Sequence, residues 1–199
     1  DNPIESSKSS YKMMGYDSAG NGALMRNGIC GITDNWYQNT ISHCLITHFD
    51  TRCIASCLLH SFIINSIWNH KKIHWDTIYE ICKTIINNGY KKNRNLIEFD
   101  KFWHLALNYE HMLKTYDNDS SESCFLQFLK RLNIGNYELN GHQGYTLLAM
   151  TLCIAIVIDM DYTLKQNKNI DIWYYTIKIR EIISVGGDAD TNACIVGSI

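Results

Sequence analysis

Asp188 and Asp190 stand one residue apart, with the hydroxyl of Thr191 directly after them and the pair Gly186-Gly187 directly before. Glycines reach backbone angles closed to other residues, so the chain can turn sharply there before entering the small and apolar run Ala193–Ile199. At the first turn of a helix, free N–H groups and the positive dipole end favour anionic side chains. Two carboxylates and a hydroxyl crowded in this way are hard oxygen donors, suited to Mg²⁺ or Mn²⁺. The competing reading of the same residues is a helix cap, with Asp188 as N-cap and Asp190 as an acid in the first turn.

Three other stretches carry groups with chemical potential. Gly20-Asn21-Gly22, followed by Ala23-Leu24-Met25-Arg26, is a turn that leaves backbone N–H groups uncovered before a helix, a cradle for phosphate or an ordinary helix entry. Arg26 then pairs with a phosphate or with a structural carboxylate, and the second is favoured. Thr47-His48, in THFDTRCIASC, places an imidazole at a break between helices, where it bonds a ligand or serves the structure. Gly141-His142-Gln143-Gly144-Tyr145-Thr146 ends a polar turn in an aromatic, and Tyr145 either stacks on a sugar or base or anchors the helix that follows.

The elements that must position these groups read as helices. Apolar residues recur at three- and four-residue intervals, and long alternating stretches are absent. Positions 1–22 are polar and read as an extended loop, and 23–31 as a short helix stopped by Gly28 or Gly31. Thr40 to Trp68 reads as two helical segments broken near Phe49-Asp50-Thr51. Trp75–Asn88 is amphipathic, with Gly89 as its stop. The basic run Lys91-Lys92-Asn93-Arg94 reads as a solvated loop. Leu96–Tyr116 and Glu122–Leu132 are two further helices, and 135–144 is a polar connection. Tyr145–Met160 is apolar all round, a central buried helix. In Ile170–Ser184, Trp173, Ile177, Ile179, Ile182 and Ile183 are expected to face the core. The fold class is all-α, a compact multi-helix single domain over 1–199.

With 199 residues, 46% hydrophobic and 19% charged, the chain can bury a substantial core and is not disordered. A net charge of −2 gives no electrostatic reason to expect nucleic acid or an anionic membrane as partner. The eight cysteines form no CxxC pair and no zinc-type spacing, so they read as buried, reduced thiols. The apolar run Leu147–Ile158 is short for a membrane span. A cytoplasmic, reducing location is expected. The start at Asp1 and the end soon after the last helix begins suggest a piece of something longer, or a processed or incompletely translated product.

The order GNGALMR, then THFDTRCIASC, then GYT before a long apolar helix, then GGDADTN, resembles the ADP-ribosylglycohydrolases. The resemblance runs from about Ser18 to the last residue, and the middle matches only in being helical. It implies a compact all-α domain, of which 1–199 are expected to be the C-terminal portion, whose loops meet at a two-metal site, normally Mg²⁺, with ADP-ribose lying across it. The partner implied is ADP-ribose or an ADP-ribosylated protein, and the reaction is hydrolysis of the glycosidic bond at the distal ribose. Carried over by position, Asp188, Asp190 and Thr191 match metal ligands. Gly20, Asn21 and Gly22 match the loop that approaches phosphate and ribose, His48 matches a ligand-contacting histidine, and Tyr145 lies near the ligand. Two cations about 3.5–4 Å apart can hold a water and stabilise charge developing at the anomeric carbon. A metal-free pair of carboxylates is the general alternative for glycoside hydrolysis.

The chain departs from the family pattern before the GNG loop. The family's other metal ligands lie in a Gly-Asp-Ala helix with a nearby Glu and in a Thr/Ser-Asp-Asp-Thr stretch, and neither motif occurs here. The acids upstream are Asp1, Glu5 and Asp17. A second chain or an omitted segment supplying those ligands, an inactive remnant, and an unusual one-metal site are the competing explanations. The alternatives to a hydrolase are therefore a catalytically inactive ADP-ribose-binding module and a structural, crystallin-like protein.

Overall fold

The computed structural model describes residues 2–116, 122–132 and 144–199. The expected polar connection over 135–144 lies outside these residues, apart from Gly144. Among the described residues there are eleven helices and no strand, which establishes the all-α class. They are α1 (Pro3–Met13), α2 (Gly22–Met25), α3 (Gly28–Gly31), α4 (Trp36–Leu45), α5 (Thr51–Trp68), α6 (Trp75–Asn87), α7 (Lys92–Thr115), α8 (Cys124–Leu132), α9 (Thr146–Lys165), α10 (Ile172–Ser184) and α11 (Ala189–Gly197).

α9 is the axis of the fold. Every residue from Thr146 to Asp159 is buried, as an all-round apolar pattern requires. It packs against α5, α7, α8 and α11. At 20 residues it is long and apolar enough to cross a membrane by length and composition, so length does not exclude a span as the sequence reading supposed. Its burial is that of a core helix: 72% of its most apolar window lies inside the protein.

Four expectations are corrected. The N-terminal stretch is not an extended loop. Asn2 accepts a hydrogen bond from the Ile4 amide, Pro3 fills the first helical position and Glu5 sits in the first turn, together starting α1. The short helix expected over 23–31 is two single turns, α2 and α3. The basic run is not a free loop but the start of α7, with Arg94 bonded to Asp17 at 2.6 Å and to Glu98 at 3.0 Å. In α10 only Ile182 of the five expected core residues is buried, whereas Trp173 is 71% exposed and Ile177 and Ile183 are each 51% exposed. The inward face of α10 is its polar one. Tyr174 donates to Asp159 at 2.6 Å, Lys178 pairs with Asp159 at 3.2 Å, and Glu181 accepts from Ser123 at 2.5 Å. Those bonds to a nearly buried carboxylate outweigh the apolar period.

The break between α4 and α5 falls where expected, with the Asp50 carboxylate accepting the Arg52 amide as N-cap. Gly89 follows α6, but for a different reason from a left-handed stop. A Cβ there would lie 2.4 Å from Cγ2 of Thr51, so the glycine allows close approach of the α6 end to the start of α5. Seven cysteines are buried and free, as expected, and Cys194 is exposed.

A buried polar seam fixes α11 to α5. Nε2 of His60 lies 2.9 Å from Oγ of Ser198 and 3.2 Å from the Ile195 carbonyl, while Asn27 donates to Ser61 at 2.8 Å. Burial pushes the His60 pKa from 6.5 down to about 4, against the opposing pull of the Ile195 carbonyl. Below pH 6.5 the unfolded chain therefore takes up a proton that the folded chain refuses. Stability carried by this group is complete above pH 6.5 and falls by about 3 kcal/mol as pH drops toward 4. Urea unfolding at pH 7 and pH 5 is expected to show about 2 kcal/mol of that loss, and His60→Gln to reduce it.

Candidate functional site

Four segments far apart in sequence meet at one end of α9. Asn21 donates from Nδ2 to Oδ2 of Asp188 at 2.9 Å, across 167 residues of chain. Gly20 and Tyr145 form an antiparallel bridge, with the Asn21 amide on the Gly144 carbonyl at 2.7 Å and the Thr146 amide on the Ala19 carbonyl at 3.0 Å. The GNG turn is thus held by the residues that open α9, and its side chain reaches the turn that opens α11.

Gly186 and Gly187 have φ of +77° and +74°, the left-handed turn expected of this pair. Asp188 occupies the N-cap position of α11, yet its side chain makes no capping hydrogen bond. It reaches to Asn21 instead, so the cap reading accounts for its position and not for its carboxylate. Asp190 is exposed in the first turn, and Thr191 is buried beside it. His48 faces the same loop. Its Nδ1 is 2.8 Å from the Thr47 hydroxyl, and Cβ atoms built on Gly20 and Gly22 would lie 3.5 and 3.3 Å from its ring. Burial, helped by the charge of Arg26 and opposed by Asp50, lowers its pKa and favours a neutral imidazole near pH 7.

Tyr145 is held from below, beside the GNG turn. Its hydroxyl donates to Glu98 at 2.6 Å, and its ring meets Phe102 edge-on. His142, expected near it, lies outside the described residues. Among the described residues Arg26 pairs with no carboxylate, contrary to the favoured expectation. It donates to the carbonyls of Gly22 at 2.9 Å and His43 at 3.2 Å, and to the Thr47 hydroxyl.

The support beneath the site is a buried charge network that no local motif announces. Arg52, 2% exposed, pairs with Asp50 at 2.8 Å, Asp17 at 2.6 Å and Glu98 at 2.7 Å. Asp50 also accepts the Ser18 amide at 3.3 Å, and the Cys53 thiol donates to the Gly20 carbonyl at 3.3 Å. Burial alone would raise the Asp17 carboxyl, but hydrogen bonds from Arg52 and Arg94 bring it down to about 2. Glu98 is lowered in the same way: Tyr145, Arg52 and Arg94 overcome its desolvation. The sequence signal available was Asp50 before Arg52 at a helix start, a charged pair beginning two residues after His48.

Gly144 was also missed. Its φ is +66°, and a Cβ there would sit 3.0 Å from Oδ1 of Asn21 and 3.1 Å from Oδ2 of Asp188. Gly144→Ala is expected to cost about 1–2 kcal/mol from left-handed strain alone, measurable by thermal unfolding, and to part Asn21 from Asp188.

Asp188, Asp190 and Thr191 suit a hard cation as a donor set, since Mg²⁺ commonly takes one or two carboxylates and completes its shell with water and substrate oxygens. Among the described residues no group of three or more His, Cys, Asp or Glu is placed to enclose one.

An all-helical scaffold that brings a glycine turn, a neutral histidine and an Asp-x-Asp-Thr helix start together at one end of its central helix narrows the class. The chain belongs to the ADP-ribosylglycohydrolase family, whose model matches residues 2–199. The match takes in α1 as well as the four motifs. The family comprises hydrolases acting on ADP-ribosylated substrates and is generally metal-dependent. Neither the search of curated proteins nor that of solved structures gave a match.

Proposed function

We propose that the convergent end of α9 binds ADP-ribose and that the intended chemistry is Mg²⁺-dependent hydrolysis of an ADP-ribose glycosidic bond. The observation that carries this reading is the Asn21–Asp188 hydrogen bond, which joins the loop suited to phosphate and ribose to the acidic turn suited to a cation. The backbone N–H groups of Gly20 and Gly22 receive diphosphate oxygens, with the Asn21 amide held on the Gly144 carbonyl between them. Neutral His48, with one nitrogen occupied by Thr47, offers the other to a ligand hydroxyl. Asp188, Asp190 and Thr191 would hold Mg²⁺, whose chemistry when bound is polarisation of ribose oxygens and of a water. Tyr145 and Gly144 position the Asn21 backbone and do not themselves need to touch the ligand.

A second reading is an ADP-ribose-binding module without turnover. It is favoured by the engagement of the nearby acids: Asp17 is bonded to Arg52 and Arg94, and Glu98 to Arg52 and Tyr145. Carboxylates held in this way are not available as further metal ligands. Incubation with peptides carrying ADP-ribosyl-arginine or ADP-ribosyl-serine, with Mg²⁺ and with chelator, separates the two. Mg²⁺-dependent release of ADP-ribose is expected of the hydrolase. Binding without release in either condition would support the module, and neither binding nor release would contradict both.

A further inference from the structure

The other end of α9 borders a cleft of about 740 Å³ that the proposed ADP-ribose site does not use. α9 rises 1.5 Å per residue, so Val157–Gln166 lies roughly 17–30 Å along the helix from Thr146. The cleft is closed by the 69–74 connection, the start of α6 and the last turns of α7. Its volume falls within the ordinary range for small-molecule sites, and its apolar wall includes Ile73, Trp75, Leu113, Val157 and Met160.

The charges at the rim are of two kinds. Lys114 and Lys165 sit in the last turns of α7 and α9, and each is bonded to an acid one turn back, Glu110 at 2.7 Å and Asp161 at 2.5 Å. Those pairs are internally neutral. Lys71 and Lys72 are exposed and form no ion pair among the described residues, so they leave the cleft with a net positive rim. They also lie just before α6, a helix of 13 residues whose N-cap, His74, makes no side-chain capping bond. Its first-turn amides and positive dipole end add to the field of the two lysines, and Asp76 in the same turn offsets part of it.

We propose that this cleft binds a single-chain amphiphilic anion, with an aliphatic body along the apolar wall and a carboxylate head between Lys71, Lys72 and the α6 N-terminus. The assignment follows from charge complementarity: an apolar trough with a net cationic mouth suits one chain with one anionic head. It stands independently of the ADP-ribose site.

Calorimetric titration of laurate below its micellar concentration into the full chain is the test. Laurate is expected to bind in the micromolar range. Acetate, which has the head alone, and dodecyltrimethylammonium, which has the chain with the opposite charge, should bind at least tenfold more weakly. K71E/K72E should lose at least tenfold in laurate affinity with an unchanged helical circular dichroism spectrum. Absence of laurate binding, equal binding of the cationic amphiphile, or no effect of K71E/K72E would each overturn the proposal. So would association with anionic phospholipid vesicles without binding of monomeric laurate, which would mark a membrane-facing patch instead.

Discussion

Arg52→Ala is expected to lower the free energy of unfolding by about 3–5 kcal/mol, the usual cost of removing one partner from a buried charge network. Arg52 is 2% exposed and Asp50 is fully buried, so the substitution strands a carboxylate that water cannot reach. Asp50 loses the bonds from Nε at 3.0 Å and Nη2 at 2.8 Å and keeps the backbone amides of Arg52 and Ser18. Asp17 and Glu98 lose the same cation. Arg52→Lys should recover part of the loss, because it restores charge without the planar fork that reaches three acids. Urea unfolding measures both, and a loss below about 1 kcal/mol for the alanine variant would mean the network is a solvated surface feature. The network also sets an acid dependence. With the Asp17 pKa held at about 2 against an ordinary 3.8, its contribution is present above pH 3.8 and is lost as pH falls through 2. Arg52→Ala should flatten that limb.

Asp188→Asn is expected to lower ADP-ribose affinity in Mg²⁺ at least tenfold while leaving stability within about 1 kcal/mol of the parent. Asparagine keeps an oxygen to accept the Asn21 amide, so the link between the GNG turn and α11 survives. It lacks the charge a hard cation requires. Asp188→Ala differs in a useful way. It removes the acceptor as well, leaving Nδ2 of the nearly buried Asn21 without this partner, and should cost about 1–2 kcal/mol in addition to the lost affinity. If Asp188→Asn keeps full Mg²⁺-dependent affinity, Asp188 is a structural hydrogen-bond acceptor and not a metal ligand.

Much of the scaffold was legible because its elements obey single local rules. From Thr146 to Ile158 α9 is almost wholly apolar and is buried on every face, and α6 buries the Ile78, Cys82 and Ile86 stripe that its period displays. Asp50 read as a break and is the cap that starts α5. The rest depended on partners that the local pattern does not contain. α10 shows an isoleucine-rich period, but Asp159 on α9 draws in Tyr174 and Lys178 and turns the isoleucines outward. α1 was missed because Ser-rich composition hid an Asn-Pro helix start.

The candidate site divides in the same way. Asn21, His48 and Asp188 are chemically conspicuous in the sequence, and the fold brings them together. Arg52 and Glu98 are ordinary helix residues until α5 and α7 face one another, and Gly144 matters only because Asn21 and Asp188 crowd its missing Cβ.

The central claim is that the GNG turn, His48 and the Asp188–Thr191 turn form one ligand site completed by a cation. Calorimetric titration of ADP-ribose into the chain, with Mg²⁺ and then with chelator, tests it most directly. Saturable binding that weakens at least tenfold on chelation is the expected result. Absence of binding in both conditions would contradict the account.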